Sequence, residues 1–93
     1  MPTVRQKIIE ILSLHEMDAL VLSRETGVPE KEVYDHLVHI ARSLAAKGKR
    51  LKVQPSRCLL CDYVFENRKR FTRPGRCPRC KSSHLHNPVF SII

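Results

Sequence analysis

The only cysteines of the chain, Cys58, Cys61, Cys77 and Cys80, stand as C-x2-C-x15-C-x2-C, and that spacing limits the fold more than any other feature. Two cysteines three apart can wrap a tight knuckle with both sulfurs facing one metal, and two such knuckles complete a tetrahedron of thiolates. The second knuckle, Cys77-Pro78-Arg79-Cys80, carries a proline whose fixed φ stiffens the turn. The spacing predicts one structural Zn2+ held by these four residues. The competing use of four cysteines is a disulfide framework, which suits secreted miniproteins. Met1-Pro2-Thr3-Val4-Arg5 does not read as a secretory leader, and no run approaches membrane-spanning length. Reduced ligands in a cytoplasmic protein with no membrane partner are therefore expected.

A chain of 93 residues that splits in two cannot give each half a large core. Metal then becomes a folding requirement for the cysteine-bearing half, where structural zinc supplies on the order of 10 kcal/mol. The charge is divided unevenly. Residues 1–50 hold eight Lys/Arg against seven Asp/Glu, whereas residues 51–93 hold nine against two, so +7 of the net +8 lies in the later half. A small basic domain points to a polyanionic partner, nucleic acid first of all. Nothing in the chain forms a catalytic constellation, so no enzymatic activity is expected.

The first half reads as three helices. Thr3-Val4-Arg5-Gln6 has capping-box form, and Val4, Ile8, Ile11 and Leu12 recur at helical spacing, giving a helix over 3–14. Asp18 caps a second helix over 18–26 that stops at Gly27, and Pro29 opens a third over 29–46. Val33, Leu37, Ile40, Ala41 and Leu44 line one face of the third. The stretch from Leu22 to Leu37 resembles a helix-turn-helix of the winged type, with Ser23 allowing close approach, Gly27 making the turn, and Val28, Val33 and Leu37 filling the core. The outward positions near the start of the third helix are Glu30, Lys31, Tyr34 and Asp35. Lys31 and Tyr34 are candidate nucleic-acid contacts, while the acids complement the positive end of the helix and are unfavourable against phosphates.

The second half reads as a ribbon. Arg50-Leu51-Lys52-Val53-Gln54 alternates like a half-buried strand, Tyr63-Val64-Phe65 suits a strand leaving the first knuckle, and residues 84–91 supply a closing strand bent at Pro88. Between the knuckles lies a basic loop in which Arg68, Lys69, Arg70, Arg73 and Arg76 surround Phe71. Arginine forks bind phosphate oxygens, and Lys49 and Arg50 join the candidate contacts where the ribbon begins. Phe71 is expected to cover the metal, with base stacking as its alternative. His84 and His86 are expected on the surface, since four cysteines already complete the metal site. Val89, Phe90, Ile92 and Ile93 are expected to close the ribbon onto the helices, with a homodimer contact as the alternative.

On the paired knuckles Cys58-Leu59-Leu60-Cys61 and Cys77-Pro78-Arg79-Cys80, and the helical pattern ahead of them, the chain resembles predicted archaeal-type transcriptional regulators in which a helix-turn-helix is fused to a C-terminal zinc ribbon. The resemblance implies a transcriptional role, zinc as the metal and the four cysteines as its ligands. The expected architecture is α+β: a three-helix winged helix-turn-helix over 1–50 and a three-stranded zinc ribbon over 51–93. The expected function is a regulator that binds double-stranded DNA, its basic ribbon loop on the phosphates. The alternatives are an adaptor docking a protein of the transcription or RNA-processing machinery and, because the knuckles also resemble rubredoxin-type iron sites, an electron-transfer protein.

Overall fold

The computed structural model describes residues 3–66 and 70–93. Three helices are present, α1 (Val4–Leu14), α2 (Ala19–Thr26) and α3 (Glu30–Ala46), with strands β1 (Met17–Asp18), β2 (Leu51–Gln54), β3 (Arg57–Cys58), β4 (Leu85–His86) and β5 (Val89–Ile92). Local chemistry sets each helix end. The Gln6 N–H donates to Thr3 Oγ1 and the Thr3 N–H to Gln6 Oε1, a reciprocal capping box on α1. Asp18 Oδ1 accepts from the Val21 N–H at the start of α2. Gly27, at φ 76°, turns the chain out of α2, and the Ser23 hydroxyl bridges the turn by donating to the Val28 carbonyl. Pro29 stands just ahead of α3 as its N-cap, and with no side-chain cap there the first-turn acids Glu30 and Glu32 face the positive helix end.

The 3.6-residue spacing of apolar positions turns one face of each helix inward. Ile8 and Leu12 of α1, Ala19 and Leu22 of α2, and Val33, Leu37, Ile40 and Leu44 of α3 form one core. Its ninth buried member is Phe90, from the last strand of the chain. That strand is the centre of an antiparallel sheet ordered β1-β5-β2, in which Phe90 is opposite Met17 on one side and Val53 on the other. Arg50 and Ile93 exchange two backbone hydrogen bonds and extend the ladder by a pair.

This sheet corrects the expected ribbon. Residues 51–54 and 89–92 are strands of the helical unit, and only residues 55–88 between them form the cysteine-bearing unit. A strand of four residues names no partner in its own sequence, and Phe90 is buried where three helices leave an apolar hollow. The cysteine unit itself has a two-stranded sheet, β3 with β4, plus a single bridge from Arg57 to Val64 in place of a full strand over 63–65. Tyr63 and Phe65 flank that bridge with rings edge to face, centroids 5.1 Å apart. Phe71 also differs from expectation. It packs on the helical core, its ring at 79° to that of Phe90 and 5.7 Å away.

Candidate metal centre and its charged surroundings

The two knuckles repeat one backbone pattern. The Asp62 N–H donates to the Cys58 carbonyl and the Cys58 N–H to that of Tyr63; the Lys81 N–H donates to the Cys77 carbonyl and the Cys77 N–H to that of Ser82. Each knuckle leaves its second cysteine through a left-handed residue, Asp62 at φ 63° and Lys81 at φ 65°. The Leu59 N–H donates to the His84 carbonyl and ties the first knuckle to the chain beyond the second. This pattern brings all four sulfurs within 4.8 Å of one another, with Cys58 Sγ 3.5 Å from Cys80 Sγ and Cys61 Sγ 3.6 Å from Cys77 Sγ.

Those separations test the fit to a metal. Sulfurs about 2.3 Å from a tetrahedral Zn2+ stand about 3.8 Å from each other, and a disulfide would need about 2.0 Å. The four thiols fit the first and exclude the second. Cys58 and Cys77 are buried, while Cys80 reaches solvent. Burial opposes ionisation of Cys58, yet the backbone N–H groups of Cys61 and Leu60, helped by neighbouring thiols, bring it down to about 7. Cys77 is lowered in the same way, against its burial, by the N–H groups of Cys80 and Arg79. Cys61 is pushed up to about 12: the Tyr63 N–H favours its thiolate, but burial and the adjacent sulfurs outweigh that. Cys80 likewise rises, despite the Ser82 N–H, through Cys58 and burial. Held as four thiolates, the set would bind one metal ion and cross-link β3, β4 and both knuckles.

The basic loop does not stand clear of the helices. Arg73 lies against α3, where its Nε donates to Glu30 Oε1 at 2.6 Å and its Nη2 to Glu30 Oε2 at 3.0 Å. The Tyr34 hydroxyl donates to the same carboxylate. The Arg73 guanidinium holds the Glu30 carboxyl below its ordinary range against the opposing effect of burial, and burial with Glu30 raises the Tyr34 phenol to about 12. Two of the four outward positions expected at the start of α3 are thereby occupied by a residue of the cysteine unit. Lys31, Arg70 and Arg76 are exposed, as are Lys49 and Arg50 at the far end of α3. Arg68 and Lys69 lie outside the described residues. His84 and His86 are exposed and stand apart from the four-sulfur cluster. Unforeseen in the sequence are Val38 and Arg42, which share a hollow with Arg70 and Phe71; nothing local announced what faces them.

Three helices, two small antiparallel sheets and a four-cysteine centre able to hold one ion define a small α+β metal-binding protein. The family described as PF0610-like, N-terminal, matches residues 3–52. The solution NMR structure of protein PF0610 from Pyrococcus furiosus is similar over 97% of this chain and 88% of that one, with a TM-score of 0.81 and 30% sequence identity. The chain belongs to the PF0610-like family. No curated protein gives a significant match. Among the described residues, no helix is long and apolar enough to cross a membrane.

Proposed function

We propose that the protein is a cytoplasmic, DNA-binding transcriptional regulator built as a winged helix-turn-helix whose wing, β2 and β5, carries a structural zinc ribbon. Its action is binding, with no bond chemistry, and the zinc serves folding. One observation supports placing the grip on the ribbon: Arg73 and Tyr34 both bind Glu30 at the first turn of α3. A reading helix enters the major groove with its N-terminal residues leading, and here that end is walled by residues 70–75. The exposed Arg70 and Arg76, with Lys49 and Arg50, are left as the phosphate contacts.

The test is affinity for duplex DNA over a salt series, with the metal-loaded protein and an Arg70→Ala/Arg76→Ala variant. Each lost phosphate contact flattens the slope of log K against log salt by about 0.9. A slope unchanged in the variant, or no duplex binding, sinks the proposal. A second reading, an adaptor for a protein partner, is favoured by Leu59 and Leu60, 53% and 69% exposed at the tip of the first knuckle. Changing both to Ser would leave DNA binding intact and abolish capture of such a partner.

A further inference from the structure

A groove runs between α3 and residues 70–75 as two adjoining hollows that share Tyr34 and Thr72. The first, of about 480 Å3, is lined by Tyr34, Val38, Ala41 and Phe71, with the exposed Arg42 and Arg70 beside them. That volume lies within the range of small-ligand sites. Both rings are fixed, Tyr34 by its hydroxyl on Glu30 and Phe71 by its edge contact with buried Phe90. The second hollow, of about 550 Å3, adds Lys31 and Arg73. Of the two acids along the groove, Glu30 is neutralised by Arg73, which leaves Lys31, Arg42 and Arg70 against Asp35 alone.

From this juxtaposition we infer that the groove seats an unpaired nucleotide of a single strand, its base against Tyr34, Val38 and Phe71 and its flanking phosphates on Arg42 and Arg70. A flat apolar group with an anion on either side fits aromatic and aliphatic walls set between guanidinium groups. A duplex does not fit the same place. A major groove about 12 Å wide admits a helix approached from open solvent, whereas this helix has residues 70–75 standing along it. A single strand can lie between the two walls. The inference rests on the nucleic-acid reading above and adds the form of nucleic acid that this site takes.

Val38 is 41% exposed on α3, so Val38→Arg tests the groove at a position where folding is little affected. The measurement is fluorescence anisotropy of a labelled mixed-sequence DNA single strand and of its duplex, each titrated with full-length zinc-loaded protein. Val38→Arg is expected to weaken single-strand binding by about fivefold or more, the loss of one stacked base, while leaving duplex binding unchanged or tighter. Arg42→Ala, at an exposed position, is the second arm and should weaken the single strand alone. Tightening of both forms by Val38→Arg, or equal weakening of both, overturns the inference, because charge or folding would then explain the result. Duplex binding with no single-strand binding overturns the groove and leaves the regulator standing. Binding to neither form ends both.

Discussion

Arg73 and Glu30 stand 43 positions apart, yet the guanidinium of one meets the carboxylate of the other through two hydrogen bonds, at 2.6 and 3.0 Å. This pair joins the cysteine unit to the first turn of α3. Arg73 is nearly half exposed, so solvent screens much of the attraction. Glu30→Gln and Arg73→Ala should each cost no more than about 1 kcal/mol. A double-mutant cycle by urea denaturation should return a coupling energy of the same size; additive effects would show that the pair contributes nothing.

The same pair gives a pH signature. The Glu30 carboxyl is held below its ordinary 4.5, first by its hydrogen bonds from Arg73. A depressed folded-state pKa adds stability that is complete above the unfolded value and is lost as pH falls through the folded one. Wild-type protein should therefore lose this increment below pH 4.5, and Glu30→Gln should lack it at every pH. Thermal unfolding of both proteins from neutral to acid pH checks this: the gap between them should narrow as acid is added.

Phe90 should matter far more than its place near the end of the chain suggests. It is wholly buried among the three helices, so Phe90→Ala should cost about 3–5 kcal/mol and lower helical circular dichroism at ambient temperature. Ile93, three residues on and 57% exposed, should tolerate Ala within about 0.5 kcal/mol. Similar costs at the two positions would contradict the packing.

Metal removal should act unevenly. The four sulfurs cross-link only residues within 55–88, while the helical core holds no cysteine. A chelator should abolish the amide pattern around the knuckles and leave most helical signal in place. Intact-mass measurement should find one ion per chain, lost in Cys58→Ser. Zinc is expected; a red, redox-active iron form from the native host would move the protein to electron transfer.

The left-handed residues after each knuckle offer a gain. Lys81 holds φ 65° without the short polar side chain that eases this region. Lys81→Gly should stabilise the metal-loaded protein by up to about 1 kcal/mol, and Asp62→Gly by less, since aspartate tolerates the conformation better. Thermal melts of the zinc-loaded variants decide it, and a lower melting point for Lys81→Gly would contradict the strain.

What could be read from the sequence was local. The knuckles are legible because ligands three apart share one turn, and the helices because caps at Thr3 and Asp18 and apolar spacing act within a few residues. Val89–Ile92 was expected to close onto the helices, as it does, but its place in the sheet was not legible. Its alternation would suit either small sheet, and its pairing with Met17–Asp18 depends on where the chain returns after the second knuckle. Phe71 on Phe90 and Arg73 on Glu30 were hidden for the same reason. Side chains choose such partners only after the path of the backbone is set, and carry no mark of them beforehand.

One consequence lies in how the chain leaves and rejoins the helical unit. Gln54 and Val89 are directly paired neighbours in the sheet, so the chain leaves for the cysteine-bearing segment and returns from it through a single doorway one strand-spacing wide. Such a segment is a cassette. Replaced by a two-residue Asn-Gly turn, it leaves β2 and β5 as an ordinary hairpin; carried the other way, residues 55–88 with their metal could be grafted onto any hairpin whose ends stand as close. Beyond that doorway the segment folds back, with Phe71 against Phe90 and Arg73 on Glu30 as its two moorings to the helical host.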